Sequence, residues 1–372
     1  MLYIIGFTRK GLELGQDIKN KVNGSVRLFQ KTGQETEIGE KVIGTLHQWT
    51  KDAFLYGDVI LFIGACGIAV RSIAPFLQDK WNDPAVLVMD EGGNFCISLL
   101  SGHAGGGNAW CEKVAEMVGA CAVITTATDV GGMFAVDVFA VENNFYIKEH
   151  SLAKEVSAAI LAGEKIPMVF GDEIFTKLGK IQLLQKKEDL MEKGVALSLE
   201  SEFSKENQRK RTLGIYVGVR HRELPFENTL HLIPVSLTLG LGCKKGSGEK
   251  VIEERVEEFC HRGKLMREAF FMAATIDLKK EEPGLLAFTE NFGLPLASYP
   301  SEKLSALQGS FHGSSFVKQV TGVDNVCERS ALACALDQGK EAQLLEEKYS
   351  GEGVTVAAAI VLREEMKWDR CM

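Results

Sequence analysis

The segment from Asn94 to Gly119 is the feature that most constrains the fold of this chain. It contains an apolar run from Phe95 to Leu100 that predicts a buried strand, then a glycine-rich turn, then an amphipathic helix. The predicted helix places its apolar residues along one stripe: Trp110, Cys111, Val114, Ala115 and Val118. A strand, a tight turn and a helix in direct succession are typical of a sheet covered by helices.

The same alternation recurs on both sides of this segment. The predicted N-terminal strands lie at residues 2–7, 26–30, 58–64, 85–90 and 121–126, and the predicted helices between them at 10–22, 41–55 and 68–76. Near Leu232 a second unit begins, with a strand, a glycine-rich turn and a helix opening near Ser247. The pattern is weaker from residue 130 to 222. We therefore expect an α/β fold with two α/β domains of mainly parallel sheets (1–135 and 231–372), joined by a smaller central α/β module (136–230).

Composition excludes several classes of partner. The chain has 372 residues, of which 45% are hydrophobic, and a net charge of −8, so it lacks the basic surface that binds nucleic acid or an anionic membrane. The basic run Arg209-Lys210-Arg211 is interpreted as a solvated loop, because no aromatic residue is interleaved with it. No apolar run reaches a membrane-spanning length, and the N-terminus lacks a signal peptide, so a cytoplasmic location is expected.

The sequence predicts neither a metal site nor a nucleotide cofactor. Nine cysteines are scattered without any C-x-x-C pair, which argues against a zinc knuckle or a disulfide framework. The stretch from Gly240 to Ser247 has the wrong spacing for a phosphate-binding P-loop, and it has one residue too many for the G-x-G-x-x-G fingerprint. We therefore expect no cofactor, and no metal other than one carried by a substrate.

Polar turns that follow predicted strands are the candidate site residues. Glycines in the turn after Leu100 let backbone N–H groups approach an anion at a helix N-terminus. Because ligands bind beyond the carboxyl ends of parallel strands, we expect the turns at 64–67, 101–108 and 125–129 to converge on one crevice. In the C-terminal unit, Lys244 and Lys245 follow a strand. They are either solvated turn residues or ligands for a carboxylate or phosphate, and both interpretations stay open.

Several long motifs resemble one known family. Residues 63–77 (IGACGIAVRSIAPFL), 99–130 (LLSGHAGGGNAWCEKVAEMVGACAVITTATDV) and, further along, LGLGCKKGS, ATIDLKKEEPGLLAF and SFVKQVTGVDNVCERSAL resemble the cobalt-precorrin-5A hydrolase (CbiG) family of anaerobic cobalamin biosynthesis. The resemblance covers most of residues 56–129 and 234–361, in the family's order. Position 107 is Gly where Ala is often expected, which is a mild departure.

The resemblance implies an enzyme that hydrolyses the δ-lactone of cobalt-precorrin-5A. The two-carbon meso unit then leaves as acetaldehyde, and the product is cobalt-precorrin-5B. Such chemistry needs a directed water, donors for an oxyanion and a proton acceptor. The implied partners are the cobalt-tetrapyrrole substrate and neighbouring enzymes of the pathway, whereas the oligomeric state is not predicted. The alternative is a non-catalytic corrinoid-binding or scaffold protein of the same pathway, and an acyl transferase is a weaker third interpretation.

Three residues are candidates for catalysis. His103 is interpreted as the general base or as a ligand to the substrate's cobalt, and Asp129 and Glu328 are alternative carboxylate bases. Each has a structural alternative: His103 as a turn or helix cap, Asp129 as an N-cap, and Glu328 as a capping partner in the turn where Asp324 is the predicted N-cap. The candidate substrate-binding residues are Gly64, Gly67, Arg71, Ser101, Gly102, Gly105, Gly106, Gly107, Asn108, Thr126, Cys243, Lys244, Lys245, Ser247, Lys318 and Asn325.

Overall fold

A computed structural model describes residues 1–33, 36–79, 82–102, 105–125, 133–203, 211–222 and 226–368 of the chain. The chain divides into two compact units, residues 1–138 and 139–368. They contain three mixed β-sheets whose strands are mostly parallel and alternate along the chain with helices, so the predicted α/β fold class is confirmed. None of the helices in these ranges is long and apolar enough to cross a membrane.

The first unit is built on a seven-stranded sheet in the order β3-β2-β1-β4-β5-β6-β7. Its strands are β1 (Leu2–Gly6), β2 (Val26–Gln30), β3 (Glu40–Lys41), β4 (Val59–Ile63), β5 (Ala85–Met89), β6 (Phe95–Leu100) and β7 (Cys121–Val123). Its principal helices are α1 (Arg9–Lys21), α2 (Leu46–Tyr56), α3 (Cys66–Ile73) and α4 (Gly107–Val118). Helix α2 begins at Leu46 rather than at the predicted residue 41, because Glu40 and Lys41 pair with β2 and the Thr45 hydroxyl caps the helix.

Helices cover both faces of this sheet. Leu12 of α1 and Val114 of α4 are buried in one apolar core, whereas Trp49 of α2 and Ile73 of α3 are buried in the other. Strands β1, β4 and β5 are therefore apolar at every position, as is typical of strands covered on both sides.

One strand of this sheet runs against its neighbour. Strand β6 is antiparallel to β5, and a short turn from Asp90 to Asn94 joins them. The Asp90 carboxylate accepts the backbone N–H groups of Gly92, Asn94 and Phe95 at 2.7–3.0 Å, which holds the turn closed. A connection this short joins only antiparallel strands, since a parallel pair requires a crossover of a dozen or more residues.

The second unit begins with a five-stranded sheet in the order β10-β9-β11-β12-β8. Its strands are β8 (Phe145–Ile147), β9 (Ile166–Phe170), β10 (Val195–Leu199), β11 (Arg211–Val217) and β12 (Phe226–Pro234). The helices of this part are α5 (Val136–Glu142), α6 (His150–Leu161), α7 (Lys177–Gln185) and α8 (Lys187–Glu192). Of the basic run predicted as a loop, Arg211 begins β11, whereas Arg209 and Lys210 lie outside the described residues.

The last sheet has the order β15-β14-β13-β17-β16. Its strands are β13 (Leu237–Cys243), β14 (Phe270–Ile276), β15 (Leu296–Tyr299), β16 (Ala342–Gly351) and β17 (Val354–Val361). Its helices are α9 (Glu249–Gly263), α10 (Pro283–Phe292), α11 (Ser301–Ala306), α12 (Ser315–Thr321) and α13 (Cys327–Gln338). Residues Leu232–Pro234 belong to β12 of the preceding sheet, so the prediction that they open the C-terminal unit was wrong.

Helix α13 packs closely against β13 at Gly240. A Cβ added there would lie 1.8 Å from the Cys327 carbonyl oxygen and 2.8 Å from the Ala331 side chain. The neighbouring Thr238 hydroxyl donates to the Ala331 carbonyl at 2.8 Å, which fixes the helix on the strand. The glycine at this position is therefore a packing requirement of the C-terminal domain.

We expect Gly240→Ala to lower the free energy of unfolding by about 3 kcal/mol, because the backbone of α13 must move to admit the methyl group. Urea denaturation followed by circular dichroism measures the change. Gly33→Ala is the matched control, since this glycine is exposed in a loop and a Cβ there meets nothing within 4 Å. That variant should stay within about 0.5 kcal/mol of the parent. Equal midpoints for the two variants would contradict the close packing.

Candidate functional site

Backbone hydrogen bonds join the described residues of the glycine turn (101, 102 and 105–108) to one another. The N–H of Gly107 donates to the Ser101 carbonyl at 3.0 Å, and the N–H of Asn108 donates to the Gly102 carbonyl at 2.8 Å. The Ser101 side chain is buried, and its hydroxyl donates to the Asp83 carbonyl at 2.9 Å. These bonds hold the turn together, and they use the backbone N–H groups of Gly107 and Asn108 within the turn itself.

Backbone conformation accounts for glycine at position 106 of this turn, and close packing accounts for it at position 107. Gly106 has φ +73°, a left-handed conformation that favours glycine. A Cβ at Gly107 would lie 2.9 Å from the Leu100 carbonyl oxygen. The number of glycines is therefore weaker evidence for a ligand than the sequence suggested. His103 and Thr126 lie outside the described residues, as does Asp129.

The predicted convergence of the N-terminal turns was wrong for the turn that contains Gly64 and Gly67. Because β6 is antiparallel to β5, Leu100 pairs with Val86 near the start of β5, whereas Ile63 pairs with Met89 at its end. A five-residue strand spans ~13 Å, so the two turns lie beyond opposite ends of strand β5. The exposed Arg71 donates to the Gly67 carbonyl of its own helix at 3.1 Å.

A cavity of about 590 Å³, here called the C-terminal cleft, lies beyond the carboxyl ends of β13 and β14. The β16–β17 hairpin, α12 and the start of α13 form its other walls. Its lining includes the predicted residues Cys243, Lys244, Lys245 and Asn325, and also Gly242, Ile276, Lys279, Phe316, Val317, Val320, Thr321, Asp324, Val326, Cys327, Lys348, Ser350, Gly351, Gly353, Val354 and Thr355. This position is where open α/β sheets bind ligands.

The cleft combines cationic side chains with an apolar wall. Four lysines line it against one aspartate, and that Asp324 accepts from Arg329 Nε at 2.9 Å. Lys244 and Lys245 are exposed and form no ion pair within 4 Å to any described residue. On α12, Phe316 and Val320 are 72% and 62% exposed, although both are apolar. A flat apolar ligand with anionic groups at its periphery would be complementary to both the lysines and the apolar wall.

Two of the predicted substrate-binding residues, Ser247 and Lys318, do not line the cleft. The Ser247 side chain is buried, and its hydroxyl donates to the Lys244 carbonyl at 3.0 Å, so it stabilises the turn. Lys318 is exposed on α12 but does not line the cleft, whose wall is formed by its neighbour Val317. In the turn that contains Ser247, the Gly246 N–H donates to the Glu282 carboxylate at 2.6 Å.

The two thiols of the cleft are poor nucleophiles. Burial raises the pKa of the Cys327 thiol to about 12. Burial also raises the pKa of Cys243, with Lys279 opposing the shift. Since the thiolate is the reactive form, both side chains are protonated and unreactive at neutral pH. Covalent catalysis by cysteine is therefore not supported in this cleft.

Glu328 is fully buried and has four hydrogen-bond donors. Its carboxylate accepts the backbone N–H groups of His312 at 2.8 Å and Lys348 at 2.7 Å, the Asn325 side-chain amide at 2.6 Å, and His312 Nδ1 lies at 2.9 Å. Glu328 does not line the cleft, so its position favours a role in holding other residues.

The start of α13 is capped by Asn325, not by the predicted Asp324. Asn325 Oδ1 accepts the Glu328 N–H at 2.9 Å while its amide donates back to the Glu328 carboxylate, which is a reciprocal capping arrangement. The sequence signal for this was the Asn-x-x-Glu spacing. Asp324 is instead paired with Arg329.

Sequence reasoning missed four residues of interest: Lys279, Lys348, Phe316 and His312. Lys279 is the third residue after β14, so the rule that ligands bind beyond the carboxyl ends of strands identifies it. Lys348 lies on β16, an edge strand whose polar sequence shows no alternation of apolar residues. Phe316 lies on the short helix α12 and His312 precedes that helix, and only their exposure and contacts in the structure set them apart.

Comparison with known proteins places this chain among cobalamin-biosynthesis proteins. Three family models match it in order: Cobalamin synthesis G N-terminal over residues 48–129, Cobalamin biosynthesis central region over 134–234 and Cobalamin synthesis G C-terminus over 237–359. The cobalt-precorrin-5A hydrolase of Salmonella typhimurium is 33% identical over 316 residues, which cover 83% of this chain and 84% of the relative. The enzyme of the same name from Priestia megaterium is 27% identical over 370 residues, with coverage of 96% and 94%.

We expect the cysteines of the cleft to react slowly with iodoacetamide at pH 8, because their thiols stay protonated. Cys66, which is exposed, should be alkylated at least about tenfold faster than Cys243 and Cys327. Peptide mass spectrometry over a time course measures the rates. Urea-denatured protein provides the control, in which the differences should disappear. Rapid labelling of Cys243 in the folded protein would contradict the assignment.

Proposed function

Because the chain belongs to the cobalt-precorrin-5A hydrolase family, we propose that it opens the δ-lactone of cobalt-precorrin-5A by hydrolysis. Water adds across the lactone, the two-carbon meso unit leaves as acetaldehyde, and cobalt-precorrin-5B is the product. Cobalt enters the site only as part of the substrate. No comparison favours the alternative of a non-catalytic scaffold, since the curated relatives that match most of this chain are named as hydrolases.

The C-terminal cleft is the observation that best supports this function at the level of the site. A tetrapyrrole presents a broad apolar face and a periphery of carboxylates. In our proposal its face lies on Phe316 and Val320, and its carboxylates meet Lys244, Lys245 and Lys348. A volume of about 590 Å³ is ordinary for a small-molecule site.

Neighbouring residues restrict the positions of the Lys244 and Lys279 side chains. The stem of Lys244 lies across Gly353, where an added Cβ would meet its Cδ at 2.6 Å. Lys279 is paired with Glu282 at 3.0 Å, and this pairing places its ammonium at the cleft wall. These groups would orient the substrate, whereas the acid–base chemistry requires further residues. His103 and Asp129 stay predicted candidates for that role, and the substrate contacts of Arg71, Lys318 and the glycine turn stay predictions too.

We also propose three domains, with the first boundary near residue 135 as the sequence predicted. The second boundary is moved from residue 230 to about 235, because the whole of β12 (Phe226–Pro234) pairs within the middle sheet. A cytoplasmic location is part of the proposal as well. It is supported by the cysteines of the described residues, which are all free. Neighbouring pathway enzymes stay predicted partners.

We expect the purified protein to release one acetaldehyde for each cobalt-precorrin-5A consumed under anaerobic conditions. An alcohol dehydrogenase assay measures acetaldehyde, and mass spectrometry identifies the corrinoid product. Heat-denatured protein is the control for spontaneous fragmentation. Tight binding of the substrate without any product above this control would overturn the hydrolase function in favour of the scaffold.

We expect the double variant Lys244→Ala/Lys245→Ala to weaken substrate binding by about tenfold, because each exposed lysine contributes up to about 1 kcal/mol to an ion pair. The loss should shrink as salt is added. Lys250→Ala is the charge-matched control, since this exposed residue of α9 does not line the cleft. Spectroscopic titration of the corrinoid gives both dissociation constants. Equal constants for the double variant and the control would remove the cleft from the proposal.

A further inference from the structure

His312 and Glu328 form a pair with an unusual distribution of exposure. The Glu328 carboxylate has no solvent contact, whereas the His312 side chain is 61% exposed. His312 Nδ1 lies 2.9 Å from Glu328 Oε1, so the imidazole is held by one nitrogen and presents Nε2 outward. The Nε2 atom lies 3.7 Å from the carboxylate of Glu347, which is itself 73% exposed.

Among the residues that the structure describes, no lysine or arginine side chain forms an ion pair with the buried Glu328 carboxylate. Among the described residues, His312 is the one side chain able to carry positive charge within 4 Å of Glu328. Buried carboxylates are costly unless their oxygens are hydrogen-bonded, and the imidazole Nδ1 supplies one of the four contacts that this carboxylate makes. A carboxylate that fixes the tautomer and orientation of a histidine is the arrangement by which proteins prepare a general base.

The pair lies beside the C-terminal cleft. The His312 carbonyl accepts from the Asn325 amide at 3.1 Å and from Lys348 Nζ at 3.4 Å, and both of these residues line the cleft. The same two residues donate to Glu328, through the Asn325 amide and the Lys348 backbone N–H. Two residues of the cleft wall thus hold both members of the pair at its rim.

We propose that His312 is the general base that activates water for lactone opening, with Glu328 as its positioning residue. This inference rests on the proposed function. Nε2 takes a proton from water as the water oxygen bonds to the lactone carbonyl carbon. The ring C–O bond then breaks, and the imidazolium returns the proton to the departing alkoxide. One water is consumed, and a hydroxy acid forms.

The His312→Asn variant tests the proposal, because an asparagine amide offers a donor near the position of Nδ1 but nothing in place of Nε2. We expect a melting temperature close to that of the parent, an unchanged dissociation constant for the corrinoid, and kcat lower by about 10²–10⁴-fold. His261→Asn is the matched control, since this exposed histidine of α9 does not line the cleft and should retain full turnover.

A second variant separates catalysis from structure. His312→Ala leaves space for a small base, so added imidazole should restore a measurable part of its turnover. The groups that face His312 are Glu328, Glu347 and Lys348, and they are unchanged in all variants. Full turnover by His312→Asn alongside an active parent overturns this inference alone, and so does a lack of rescue by imidazole. A parent protein that forms no acetaldehyde overturns the proposed function and this inference with it.

Discussion

The buried carboxylate of Glu328 is the interaction on which the C-terminal cleft depends. It joins three separate parts of the chain: the loop at His312, the start of α13 at Asn325 and the edge strand β16 at Lys348. Each of these parts adjoins or forms a wall of the cleft. An unpaired carboxylate in this position would be strongly unfavourable, so its hydrogen bonds set the geometry of all three parts together.

The electrostatics of the cleft differ from those of the whole protein. The chain has a net charge of −8, yet four lysines and one aspartate line this cavity. A local cluster of cations in an acidic protein attracts a polyanionic substrate without creating a general affinity for nucleic acid. The exposed apolar residues of α12 add the contact surface that a tetrapyrrole ring requires.

The first unit shows how one short connection changes the location of a site. Residues 90–94 close a hairpin, so β6 runs in the opposite direction to β5. The glycine turn therefore lies at the ends of the strands opposite to those where Gly64 lies. The turn's own hydrogen bonds then use the N–H groups of Gly107 and Asn108. A motif that resembles an anion site in the sequence is therefore partly a device for packing α4 against the end of β6.

The α/β class, most strands and helices, the polar turn after β13 and the family follow from the amino-acid sequence alone, because local periodicity and long motifs record them. The sequence also identified Lys244, Lys245 and Asn325 as candidate site residues, and the structure brings these three residues together in the lining of the C-terminal cleft. The burial of Glu328 and the positions of Lys348 and His312 beside the cleft emerge only in the folded chain. The five-residue connection at 90–94, in contrast, already implies that β6 runs antiparallel to β5, although the expectation of converging turns did not use it. The pairing of residues distant in sequence, such as Glu328 with His312 and Lys348, depends on contacts that no local pattern records.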